Sequence, residues 1–275
     1  MSNEVKGQSL ALQGMRAIIT GGAQGIGASI CLELALEGAT VVVVDIQEDK
    51  SKELVKKIVK LGQSAIAIHE DIRSKEACQQ LINNTIDKLG GLDILVNCAS
   101  PMRDKTKMTS VSDSDWDIHQ SLVLDSAAIL SDAASKHLKA SGRGTIVNVS
   151  SILGESIGTE ISWPYHVSKA GLNHLTRWLA VRFGSEGIRV NAVSPGLLDR
   201  DEGPKLSDNL EDLALVKEVV PLRRPAKSKE IAQVVVFLCS EKSSYITGQI
   251  ITVDGGLNLK TGFDQAKAII NWTKK

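Results

Sequence analysis

The sequence predicts an α/β protein built on one parallel, doubly wound sheet, and three observations lead there. Seven short apolar runs, Ala17–Thr20, Val41–Val44, Ala65–Ile68, Ile94–Val96, Thr145–Val149, Arg189–Val193 and Gln249–Val253, are rich in Val and Ile and mostly apolar throughout. Strands covered on both faces have this composition. Stretches with helical spacing separate the runs, at about 25–38, 49–62, 74–89, 112–140, 161–186 and 226–240. Strand–helix alternation builds parallel sheets, and right-handed crossovers put helices on both faces. The third observation is continuity. No internal repeat, low-complexity tract or linker divides the 275 residues. Residues 1–275 are therefore expected to form a single domain, a size one core can serve.

Taken in order, the elements carry their own signals. The first run ends at Thr20 and opens onto a glycine-rich turn, after which Ala28–Ala35 favour a helix. The second run ends at Asp45, and Lys50–Lys60 reads as a solvated helix face. Stretch 112–140 is expected to be one long helix, with Leu122, Val123 and Leu124 packed inside. The fifth run ends at Ser150-Ser151, and the helix over 161–186 carries Tyr165 and Lys169. Residues 197–225 are the least regular, with Gly203, Pro204, Pro221 and Pro225. They are expected to form a loop over the substrate, with one short helix around Asp208–Val220. The tail, 261–275, reads as a weak amphipathic helix or a frayed end.

Composition narrows the function classes. Hydrophobic residues make up 43% of the chain, enough for a sizeable core. Lys+Arg and Asp+Glu both count 32, so the formal charge is zero. That balance gives no electrostatic reason to expect nucleic acid or an anionic membrane as partner. No apolar run approaches the ~18 residues of a membrane helix, and Met1 to Gly14 lacks the apolar stretch of a secretory signal. Cys31, Cys78, Cys98 and Cys239 lie far apart and form no C-x-x-C pair. Neither a zinc site nor a disulfide framework is expected, and a reducing cytoplasm fits. His69, His119, His137, His166 and His174 show no metal spacing. His166 neighbours Tyr165, but adjacent helix positions point about 100° apart. Trp116, Trp163 and Trp178 are expected in the core or a pocket wall.

Gly21, Gly25 and Gly27 stand where a strand hands over to a helix. A backbone that turns sharply there and approaches a phosphate closely favours Gly. The free N–H groups and dipole at the helix start then hold the anion of a dinucleotide. A glycine turn alone is a weak signal, since any strand–helix turn can carry one. Asp45 strengthens it, lying about 20 residues beyond the turn, where an acid accepts hydrogen bonds from ribose hydroxyls. A carboxylate there repels a 2′-phosphate. Gln24 in the turn and Ile46 after the acid leave no basic residue for that phosphate. NAD is therefore expected in preference to NADP.

Tyr165 and Lys169 are four apart, hence on one helix face. A nearby ammonium favours phenolate and draws a tyrosine pKa down from about 10. Tyr165 is thus a credible general acid or base. Ser151 sits near the carboxyl edge of the sheet, where doubly wound folds bind ligands. Its hydroxyl could bond a substrate oxygen, or simply serve a strand-end turn.

Across about 12–258 the whole pattern resembles the short-chain dehydrogenase/reductase family. The matching pieces are Thr20-Gly21 through Gly27, Asp71-Ile72, Asn97-Cys98-Ala99-Ser100, Ser151, Tyr165 with Lys169, Pro195-Gly196 and Asp254-Gly255-Gly256. The resemblance implies a seven-stranded Rossmann-type fold that usually assembles as a homotetramer. It implies a cofactor site of Gly21, Gln24, Gly25, Ile26, Gly27 and Asp45, with Asp71 and Ile72 at the adenine, Asn97 and Ala99 after the fourth strand, Tyr165 and Lys169 at the nicotinamide ribose, and Pro195, Gly196 and Leu198 on the nicotinamide side. It implies hydride transfer between NAD and an alcohol or carbonyl substrate, with Tyr165 relaying the proton and Ser151 orienting the oxygen.

Four positions depart from the family pattern. Six residues after Asp117 of the Trp116-Asp117 pair, where the family often has Asn, stands Val123, which cannot hydrogen-bond a relay water. Ser100 replaces a usual Gly. Ser151 precedes Tyr165 by 14 residues, one more than is common. Arg200 stands where a Thr often meets the carboxamide. All four lie on the substrate and relay side. Two functions follow: an NAD-dependent alcohol dehydrogenase or ketoreductase, or a repurposed member (an isomerase, a lyase or a non-redox NAD-binding protein).

Overall fold

The computed structural model describes residues 10–101, 111–199, 201 and 205–273. Seven parallel strands form one sheet in the order β3-β2-β1-β4-β5-β6-β9. They are β1 (Arg16–Thr20), β2 (Thr40–Asp45), β3 (Ala65–His69), β4 (Ile94–Asn97), β5 (Thr145–Val149), β6 (Arg189–Pro195) and β9 (Ile250–Val253). Each expected strand is present, within a residue or two of its expected ends. The strand order reverses between β1 and β4, the switch point at which such sheets open a ligand crevice. A two-residue pair that the sequence did not announce, β7 (Leu198–Asp199) with β8 (Ala226–Lys227), lies apart from the sheet.

Strand alternation divides the core into two layers. Ala17, Ile19, Val41 and Val43 pack with Ile30 and Leu34 of α1 (Gly25–Leu36), Leu54 and Ile58 of α2 (Glu48–Lys60) and Ile231 and Val235 of α8 (Ser228–Cys239). Ile18, Val42 and Val44 face the other way. They meet Leu81 of α3 (Lys75–Leu89), Leu130 of α5 (Ser126–Ser141) and Phe183 of α6 (Trp163–Gly184). The five inner strands are covered on both faces, which is why their sequences lack polar alternation, while the edge strands β3 and β9 are only partly buried.

The long helix expected over 112–140 is broken. It comprises α4 (Asp113–His119), a π-helical stretch Gln120–Asp125, and α5. The apolar spacing runs on through the break, so periodicity could not reveal it. Residues 197–225 hold the expected short helix as α7 (Leu210–Val219); Arg200 and 202–204 lie outside the described residues. The described part of the tail takes the helical alternative: α9 (Gly262–Thr273) packs on α7, and Lys260 Nζ ahead of it donates to the Glu218 carbonyl at 2.8 Å.

Candidate active site

A cleft of about 440 Å³ opens at the carboxyl ends of β1, β2 and β4. Thr20, Gly21, Gln24, Ile26 and Gly27 form one wall, and Asp45, Asp71 and Ile72 another. Ala99, Tyr165 and Lys169 complete it. Most of the residues expected at the cofactor thus converge. Gly25, Asn97, Ser151, Pro195, Gly196 and Leu198 do not line this cleft.

The glycine turn is built for close approach. Gly21 has φ +65°, and a Cβ there would sit 2.7 Å from the Ala99 Cα. A Cβ on Gly27 would strike the Gly21 carbonyl. Thr20 Oγ1 accepts from the Cys98 and Ala99 amides at 3.1 and 3.2 Å, tying β1 to the end of β4. Gln24 is the N-cap of α1 and makes no side-chain cap. The N–H groups that open α1 therefore remain for an anion. These residues fit a dinucleotide pyrophosphate.

Asp45 is held in place at the next strand end. Its carboxylate accepts from the Ala23 amide at 3.1 Å and the Gln47 amide at 3.0 Å. Two basic residues not expected at the cofactor site contact residues that were. Lys50 Nζ donates to Gln24 Oε1 at 2.8 Å, so this lysine is not simply part of a solvated face. Arg73 lines the cleft and forks onto Asp71, and its hydrogen bonds hold the Asp71 carboxyl below the usual carboxylate range. Neither contact has a spacing signature, because both depend on long side chains reaching back. Burial pushes the Cys98 thiol in the cleft wall up to about 11, so it stays a neutral thiol.

At the other end Tyr165 and Lys169 are both buried, on α6. Lys169 Nζ lies 5.7 Å from the Tyr165 ring centroid and donates to the Val149 carbonyl at 2.8 Å. Pro164 pre-sets the first turn of this helix. Ser151 Oγ accepts from the Leu153 amide at 3.2 Å, so its side chain caps the short turn Ile152–Gly154. Asn97 turns into the protein. It donates to Asn148 Oδ1 at 2.8 Å, and Asn148 in turn donates to Thr176 Oγ1 at 2.8 Å, linking β4, β5 and α6.

Val123 lies inside the π-helical stretch, 3% exposed, packed with Ala127 and Leu172. His119, one residue before that stretch, donates from Nδ1 to the Asp115 carbonyl at 2.7 Å. Its ring meets Tyr165 edge-on, with centroids 6.0 Å apart. Ile118 and Leu122 of the same region line the cleft. Trp116 and Trp163 stack at 5.1 Å, whereas Trp178, expected inside, is more than half exposed.

The family model described as Enoyl-(Acyl carrier protein) reductase matches residues 21–258. The chain belongs to the short-chain dehydrogenase/reductase family. It is an oxidoreductase of that family, whose members bind a nicotinamide cofactor. One relative is the 3-oxoacyl-[acyl-carrier-protein] reductase FabG of Thermotoga maritima, 34% identical over 248 residues, covering 90% of this chain and 99% of that protein. Two solved members differ in cofactor. A 7α-hydroxysteroid dehydrogenase complexed with NADH and 7-oxo glycochenodeoxycholic acid superposes with a TM-score of 0.81 at 34% identity, covering 90% of this chain and 96% of that one. A short chain dehydrogenase from Burkholderia cenocepacia J2315 in complex with NADP superposes at 0.82 and 32% identity, covering 90% and 99%. Among the described residues no helix is long and apolar enough to cross a membrane.

Proposed function

We propose that the protein is an NAD-dependent oxidoreductase that moves a hydride between nicotinamide and an alcohol or ketone of small or medium size. The observation that carries this is the burial of Tyr165 and Lys169 together in the cleft that Asp45 and the glycine turn open. Nicotinamide, when bound, supplies or accepts the hydride. Tyr165 Oη gives a proton to the carbonyl oxygen in reduction and takes one from the hydroxyl in oxidation. Lys169 places a positive charge beside the ring and favours the phenolate. Ser151 Oγ spends a lone pair on the Leu153 amide, which leaves its own O–H free to donate to a substrate oxygen.

Asp45 supports NAD over NADP, because its fixed carboxylate opposes a 2′-phosphate. The described part of the expected lid, residues 205–225, serves as a cover over the substrate. Val216 is the buried residue of α7 while Leu210 is largely exposed, and few packed residues mean cheap local motion. A homotetramer is part of the same reading, supported by Val167, Trp178 and Val181, which stand exposed along α6. Free, mostly buried cysteines support a reducing cytoplasmic setting. One observation favours the repurposed alternative: Val123 offers only apolar contacts where a relay needs a polar group. A screen of alcohols with NAD separates the two. Release of free NADH supports the dehydrogenase, and cofactor that is bound but never released as NADH supports the alternative.

A further inference from the structure

We propose that His166 is a positioning residue that fixes the loop of residues 155–162 beside the acid/base tyrosine, and that it does so as the neutral Nδ1–H tautomer. The inference rests on the hydride-transfer function above for its catalytic consequence, but not for its geometry. His166 is 8% exposed, and both ring nitrogens are engaged. The Gly158 amide donates to Nε2 at 3.0 Å. An amide N–H can only donate, so Nε2 carries no proton. Nδ1 lies 3.0 Å from the Ser162 carbonyl, which can only accept, so Nδ1 carries the proton. The two partners together select one tautomer of the neutral ring.

The other hydrogen bonds of this loop are local: the Glu155 and Ser156 amides and Ser156 Oγ donate to the Ile152 carbonyl, and the Ile161 amide to the Gly158 carbonyl, so the Gly158–His166 bond is the one that ties its middle to α6. Glu155, Ile157, Thr159 and Glu160 are exposed. The segment is also where the sequence is one residue longer than its family pattern between Ser151 and Tyr165. Gly158 is the contact point on the loop side: a Cβ there would stand 3.1 Å from Leu153 Cδ2. Leu153 in turn gives its amide to Ser151 Oγ. On the helix side the His166 ring meets the Tyr165 ring edge-on, centroids 6.3 Å apart at 89°. The Ser162 carbonyl accepts from both His166 Nδ1 and the Tyr165 amide. His166 therefore ties the middle of the loop, which passes close to Leu153, to the helix turn that carries Tyr165. A loop pinned at its middle holds the wall between the substrate-orienting hydroxyl and the proton donor at one width. Breaking the pin loosens substrate binding and leaves the proton chemistry alone.

The test uses the full-length protein labelled with ¹⁵N. Unmodified protein is expected to show Nε2 as an unprotonated nitrogen, with a scalar coupling across the hydrogen bond to the Gly158 amide. A protonated Nε2, or no coupling, overturns the proposal without any variant having to fold. In His166→Phe, which keeps a ring but removes both bonds, amide exchange over residues 155–162 should speed up about tenfold or more, the consequence of losing hydrogen bonds of ordinary strength. With the best alcohol from the NAD screen, KM should rise about tenfold and kcat should stay within about threefold. His166→Gln, whose carbonyl can still accept from Gly158, should recover most of both effects. Unchanged exchange in His166→Phe, or a fall in kcat with KM unmoved, contradicts the positioning role. If no alcohol is oxidised by the unmodified protein, the hydride-transfer function fails, while the coupling and exchange measurements still decide the role of His166.

Discussion

Lys169 Nζ stands 5.7 Å from the centre of the Tyr165 ring, and a 2.8 Å hydrogen bond to the Val149 carbonyl holds it there. The fold thus places a buried cation beside a buried phenol at the edge of the cleft. Lys169→Ala removes the charge beside the tyrosine and, on the proposed reading, the one that meets the cofactor ribose. It is expected to lower turnover by about a hundredfold or more, within the range of acid–base catalysis, and to weaken NAD binding in a titration. A variant with normal NAD affinity and a normal rate would remove Lys169 from the mechanism.

The proposed preference for NAD rests on Asp45. NAD should bind at least about tenfold tighter than NADP, ~1.4 kcal/mol. Ile46 is 63% exposed on the cleft wall, so Arg can replace it without disturbing the core. Asp45→Ala combined with Ile46→Arg should shift the preference toward NADP. Calorimetric titration of both cofactors checks this. Equal affinity in the unmodified protein would mean that Lys50, drawn onto Gln24, outweighs the carboxylate.

The inner strands were legible because they are buried on both faces, so runs such as Val41–Val44 leave an unbroken apolar signal. The glycine turn, Asp45, Tyr165 and Lys169 stood out because the chemistry proposed for them needs fixed types at fixed spacing, and the structure brings them to one cleft. The break at Gln120–Asp125 was not, since Leu122 and Val123 keep the apolar spacing of an ordinary helix while the backbone takes a wider turn. Arg73 on Asp71, Lys50 on Gln24 and the two bonds of His166 were equally hidden. Each depends on where a side chain ends, which no sequence period records.

Val123 is buried and packed against Ala127 and Leu172. Val123→Asn brings an amide into that apolar site. Urea unfolding should show a loss of ~1–3 kcal/mol, the usual cost of burying an unpaired amide in a protein. Turnover should change by less than about tenfold, under ~1.4 kcal/mol of barrier, if, as the proposed function requires, Tyr165 exchanges its proton by a path that does not need a polar group at position 123. A rate rise of about a hundredfold would show that the native relay is limiting and would favour the repurposed enzyme.

Glu230 links helix start to loop. The Arg224 guanidinium fork and the Lys227 amide hold its carboxyl down, from 4.5 to about 2. A carboxyl with a lowered folded pKa stabilises fully above its unfolded value and loses that contribution as pH falls through the folded one. Both partners are partly exposed, so solvent screening keeps the pair modest. Glu230→Gln should cost ~1 kcal/mol at neutral pH, a typical value for a charge-assisted bond near the surface. The gap from the unmodified protein should narrow below pH 4.5 and close near 2. Thermal melts across that range check it, and a gap independent of pH would contradict the pairing.

Tyr165→Phe tests the proposed chemistry most directly, since it removes one oxygen and keeps the ring against His119 and His166. The measurement is NADH formation from the best alcohol of the screen, with NAD affinity measured alongside. The expected result is a fall of roughly 10²–10⁴ in rate with NAD still bound. Near-full turnover in Tyr165→Phe would contradict the assignment of Tyr165 as the proton carrier.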